Sequence, residues 1–140
     1  NVTADKLANS INTDIATGVT ANTTANAALP KAGGTLTGTV TVSANAVGTV
    51  TTDNDGSFAM SASNNFKCTP SGNFTLTFTS IVAQSGNILL VNSGGHTVSA
   101  HANTKVDANL LATVSTAGTY LLSYFSDGTN VYMTNSAIYT

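Results

Sequence analysis

From about residue 47 onward, short apolar stretches alternate with turn-forming clusters, and this cadence constrains the fold more than any other feature of the chain. Phe74, Leu76 and Phe78 alternate with Thr75, Thr77 and Thr79, a period-two pattern that places apolar and hydroxyl side chains on opposite faces of a strand. Phe58, Met60 and Ala62 alternate in the same way and are followed by Phe66 and Cys68. Ile88-Leu89-Leu90-Val91 is a continuous apolar run and predicts a strand buried on both sides. Val98 marks a short strand, and Leu110, Leu111 and Val114 follow. Tyr120 to Phe125 and Val131 to Met133 are joined by Asp127-Gly128-Thr129-Asn130 and predict a hairpin. Further turns are expected at Asp53-Asn54-Asp55-Gly56, Ser71-Gly72-Asn73, Ser85-Gly86-Asn87 and Ser93-Gly94-Gly95. Roughly eight strands at this spacing predict a β-sandwich or jelly-roll-like head over residues 47–140. Parity puts Phe58, Phe66, Phe74, Phe78 and Phe125 in its core.

Residues 1–28 read differently. Leu7, Ile11, Ile15 and Val19 recur every four residues and draw one narrow apolar stripe on a helix, with Thr3 and Asp5 near its start and Gly18 weakening its end. So polar a helix is marginal alone in water. Three copies packing their stripes together would hold it as a stalk; an irregular linker is the other reading. Residues 20–28 are of low complexity and read as a connector. Residues 29–46 then form a transition, in which Pro30 discourages Ala28 and Leu29 from continuing a helix, Gly33-Gly34 permits a turn, and Leu36, Gly38, Val40 and Val42 alternate with threonines as in a strand.

The stretch Leu29-Pro30-Lys31-Ala32-Gly33-Gly34-Thr35-Leu36-Thr37-Gly38 resembles a recurrent element of phage tail-fibre proteins, Leu-Pro-x-x-Gly-Gly-Thr-(Leu/Met)-Thr-Gly, which follows a stalk and opens a β region. Leu29, Pro30, Gly33, Gly34, Thr35, Leu36, Thr37 and Gly38 all match it. The segment Gly118 to Thr134, with its Asp-Gly-Thr-Asn turn between aromatic strands, is similar to the C-terminal β domain of some phage fibres. The resemblance implies a homotrimeric fibre on the exterior of a virion, in contact with other virion proteins.

Composition narrows the classes of function. Arg, Glu and Trp are absent, and 7% of residues are charged against 41% apolar, with a net charge of −2. Four lysines form no basic stripe, which argues against nucleic acid as a partner. No apolar run of about eighteen residues is present, so no membrane insertion through a helix is expected. The chain opens on Asn1 and is expected to be a processed product, a fragment or the ordered part of a longer protein. A nearly uncharged surface associates readily, as suits a subunit of an assembly.

No catalytic set is expected. The carboxylates are Asp5, Asp14, Asp53, Asp55, Asp107 and Asp127; Asp53 and Asp55 share one turn and cannot flank a glycosidic bond from opposite sides. No Gly-x-Ser-x-Gly elbow and no phosphate-cradling glycine loop with lysine is present. Aligning Gly56 with the sixth position of a calcium loop puts Thr51 first and Ala62 twelfth, so the ligand pattern fails at both ends and a plain turn is expected. His96 and His101 could form a metal ring around a threefold axis, but they read more simply as turn and strand residues. Cys68, the one cysteine, reads as a small buried hydrophobe. No metal or cofactor is therefore expected. Tyr120, Tyr124 and Tyr132 are candidates for subunit packing or glycan contact, because their hydroxyls suit half-wet places. The expected function is a trimeric tail-fibre segment or tip that contributes to attachment to host-surface polysaccharide. The alternative is a head fibre, capsid decoration or connector with no receptor role.

Overall fold

The computed structural model describes residues 9–26, 35, 37–107 and 109–139. Leu7, Thr3, Asp5, Leu29, Pro30, Gly33, Gly34 and Leu36, named above, lie outside the described residues. The chain divides into two compact units, residues 1–45 and 46–140.

In the first unit, α1 spans Asn9–Asn26 and runs through Gly18 into the stretch expected to be a connector. Its threonines fold back on it: the hydroxyls of Thr13, Thr20 and Thr23 donate to the carbonyls of Asn9, Ala16 and Val19 at 2.8–3.0 Å. This back-bonding lets threonine sit inside a helix although its propensity is modest. Residues 37–46 form no strand despite their period-two pattern, and Val40 and Val42 are exposed. Alternation predicts which face a strand would bury, but a strand also needs a paired edge, and among the described residues this segment pairs with none.

The second unit is mainly β. Its strands are β1 (Val50–Thr52), β2 (Ser57–Ala59), β3 (Asn65–Cys68), β4 (Phe74–Thr79), β5 (Ala83–Asn92), β6 (Val98–Ala100), β7 (Thr104–Val106), β8 (Gly118–Asp127) and β9 (Val131–Asn135), with a short helix α2 (Leu110–Val114). They form a six-stranded sheet in the order β1-β3-β5-β8-β9-β7 and a three-stranded sheet in the order β2-β4-β6. The first six strands alternate between the two sheets, so the chain winds as a coil. Each turn of the coil adds one strand to each sheet, in parallel to the last. β8 then lies antiparallel to β5 and hairpins into β9, while β7 joins β9 in parallel.

A jelly roll pairs its strands antiparallel, and here that expectation fails: among the described strands β5-β8 and β8-β9 pair that way, with one further antiparallel bridge between Thr119 and Tyr139, and the other pairs are parallel. The reason lies in the turns. Asp53–Gly56, Ser71–Asn73 and Ser93–Gly95 do bend the chain, but each carries it from the large sheet to the small one instead of reversing it within a sheet. These corners are laced together. The Asn54 side-chain oxygen accepts from the Thr69 amide at 2.8 Å, and that of Asn73 accepts from the Thr97 amide at 2.8 Å. Each corner asparagine thus clasps the backbone of the following turn of the coil. Asn92 does related work inside the third turn: it is fully buried, accepts from the His96 amide and donates to the carbonyls of His96 and Val114.

Ser85-Gly86-Asn87 is not a turn but the middle of β5. Gly86 is there for close approach, since a Cβ would lie 1.7 Å from the Asn64 carbonyl oxygen and 2.5 Å from the Tyr124 hydroxyl. Leu110 and Val114, four apart, are the buried face of α2. The expected hairpin at Asp127–Asn130 is present. Gly128 takes φ 92°, and the Asp127 carboxylate accepts from the Thr129 and Asn130 amides at 2.8 Å each.

The core lies between the sheets. Phe58 on β2 meets Phe66 on β3 at 5.2 Å and Phe78 on β4 at 5.6 Å, and Phe78 meets Tyr124 on β8 at 5.0 Å. These tilted pairs favour the fold beyond the area they bury. Cys68 is fully buried, and burial, helped by the charges of Asp53 and Asp55, pushes its thiol up to about 12.

Candidate interaction surface

The inner face of the six-stranded sheet is consumed by the core, which leaves its outer face for interaction. The strand registers order that face in rows. One row runs Val50–Asn65–Asn87–Ser123–Thr134, and the next Thr52–Lys67–Leu89–Leu121. A third carries Ser85, Phe125, Tyr132 and Lys105. Lys67 and Lys105 are the only charged residues in these three rows.

Several apolar side chains on this face stay exposed: Val50, Leu89, Phe125 and Tyr132. Leu89 corrects the expectation for Ile88–Val91, because Ile88 and Leu90 are fully buried while Leu89 faces outward. The strand is covered on one side only. Val50, Leu89 and Leu121, with Asn65, Phe66 and Asn87, line a shallow hollow near the β1 edge. Asn87 and Ser123 are bonded across strands at 2.8 Å, so this part of the surface is braced by side chains.

The tyrosines expected to be surface contacts divide. Tyr120 is fully buried, with its hydroxyl 2.6 Å from the Thr116 hydroxyl and donating to the Thr116 carbonyl. Tyr124 is also buried; its hydroxyl donates to the Asn64 carbonyl at 3.0 Å and accepts from Gln84 at 3.2 Å, and burial pushes it above its ordinary value. Both side chains belong to the core. Only Tyr132 remains at the surface, its hydroxyl 3.3 Å from the second oxygen of Asp127. The backbone amides of Asn130 and Thr129 hold the Asp127 carboxyl below its ordinary range.

Phe125, assigned to the core by parity, is 56% exposed. The segment Tyr120–Phe125 carries large apolar residues on both parities, Leu121 and Phe125 on one and Tyr120, Leu122 and Tyr124 on the other, and the second set wins the inner face. Phe125 is therefore the surface residue that sequence reasoning missed. The signal that could have found it is the register: in a tight hairpin at 127–130, Phe125 and Tyr132 are cross-strand partners and must share a face.

Elsewhere the polar groups serve the fold. Asp53 accepts from the Asp55 amide and Asp55 from the Ser57 amide, which makes this stretch a turn with its oxygens engaged. Burial and the neighbouring Asp55 raise the Asp53 carboxyl, and the Asp53 side chain lowers that of Asp55. His96 is half-buried beside Asn92, and the ring of exposed His101 accepts from the Asn103 amide. Among the described residues no cluster of three metal-ligating side chains occurs, and no helix is long and apolar enough to cross a membrane. No protein-family model matches this chain, and neither a curated protein nor a solved structure matches it significantly.

Proposed function

We propose that this chain is a non-enzymatic structural component of a virus particle, a homotrimeric tail-fibre segment or tip that contributes to attachment at a host-surface polysaccharide. The observation that carries the reading is the apolar stripe of α1. Ile11, Ile15 and Val19 are 46, 55 and 62% exposed on an otherwise polar helix. Apolar residues at that spacing are wasted in water and become useful when two further copies cover them. The match of Leu29 to Gly38 with the tail-fibre element supports placing such a trimer on a virion. The part of the outer sheet face around Val50, Asn65, Asn87 and Leu89, away from Phe125 and Tyr132 and with Lys67 as its one charge, suits contact between identical subunits, where like charges would otherwise meet around an axis.

A head fibre, capsid decoration or connector fits the same stripe and is the second reading. Antibody labelling of the chain on intact particles separates the two. Tail-fibre function predicts label at the tail, and blocking of adsorption by the same antibody. Label on the capsid with unimpaired adsorption would favour the second reading, and absence of the chain from purified particles would remove both.

A further inference from the structure

We propose that the hollow lined by Phe125 and Tyr132 is a binding site for a neutral pyranose unit of a polysaccharide. The site rests on the attachment reading above and gives it an address. Phe125 and Tyr132 come from adjacent strands, are register partners, and are 56% and 46% exposed. They line an open hollow of about 380 Å³ together with Tyr124, Met133 and the hydroxyl residues Ser123 and Thr134. Its size is at the lower end for small-molecule sites, ~300–1,000 Å³, and its mixture of aromatic walls with a few polar groups is the usual one.

Three features select a sugar over other occupants. Aromatic faces cover the apolar C–H patches of a pyranose, while the surrounding hydroxyls replace the water its own hydroxyls give up. The Asp127 carboxylate is fixed by two amides through one oxygen, and its other oxygen faces the Tyr132 hydroxyl, where it can also accept a sugar hydroxyl. The nearby cation, Lys105, is tied to the Ala102 carbonyl at 2.6 Å, so no cluster of positive charge awaits a phosphate or sulfate. A second copy of the chain fits this place less well. It would cover the Asp127 carboxylate with protein and strip its water from an ion that has no cationic partner there.

Affinity electrophoresis of the full chain through gels containing dextran, mannan, galactan or rhamnan tests the site, with native mass measured on the same samples. At least one polymer is expected to retard the wild-type chain. F125A and Y132A are expected to weaken that retardation at least tenfold, and D127N a few-fold, without altering native mass. No retardation by any of the four polymers, or equal retardation of wild type and both aromatic variants, overturns the site. A change of native mass in F125A or Y132A overturns it too, because the face would then be a subunit contact. A trimer that ignores every polymer removes this site while leaving the fibre reading intact, whereas a monomer removes the fibre reading itself.

Discussion

In α1 every side chain from Asn9 to Thr23 is exposed, whereas in the β unit each of the first six strands except β1 sends at least one side chain into a closed core. The β unit can therefore draw stability from its own sequence, through burial between sheets and corner asparagines. The described helix buries no side chain from Asn9 to Thr23, and a segment rich in Asn and Thr has modest helix propensity of its own. We propose that the β unit is complete alone and that the helix is completed by further copies of the chain.

Variants that strike the β core should separate the two units most strongly. Phe58→Ala removes the ring that links Phe66 to Phe78 and is expected to cost the β unit about 3–5 kcal/mol in denaturant melts. The same change should leave the helical signal of an assembled stalk in place until the β unit unfolds. Gly86→Ala comes next. Its methyl group meets backbone at Asn64, and a loss of about 1–3 kcal/mol or more is expected. Ile15→Asn reverses the pattern, with no change in the melting of the β unit but loss of helical circular dichroism on dilution. Asn73→Ala leaves the Thr97 amide without its side-chain partner and should cost about 1 kcal/mol, read as a small shift of the midpoint.

Proton linkage gives the smallest effects. Asp127 has a depressed folded value, so its contribution is fully present above the ordinary carboxylate range and fades as pH falls through the folded value. D127N should flatten that acid limb slightly. Cys68 acts at the other end: its folded thiol stays protonated up to about 12, while the unfolded thiol ionises from about pH 8.5, so stability declines as pH rises above that point. In the native state Cys68 should react with thiol reagents no faster than the β unit unfolds.

The hairpin at 127–130, the inward Phe58, Phe66, Phe74 and Phe78, and the buried thiol were legible in the sequence, because alternation and turn chemistry act locally. The parallel winding was not. Asp53–Gly56 and Ser71–Asn73 have the composition of reversing turns, and only the clasp of Asn54 on Thr69 and of Asn73 on Thr97 reveals them as corners of a coil. Parity failed where both faces of a strand are apolar, which sent Phe125 outward and Tyr120 and Tyr124 inward. Gly86 misled because a glycine required by crowding looks, in sequence, like a glycine required by a turn.

Sedimentation equilibrium of the full chain, run across a dilution series, tests the association of α1 most directly. The account predicts a species of three times the 14.1 kDa chain mass, and Ile11→Asn combined with Ile15→Asn should convert it to a folded single chain. A wild-type chain that sediments as a monomer at every concentration, with its helical signal intact, would contradict it.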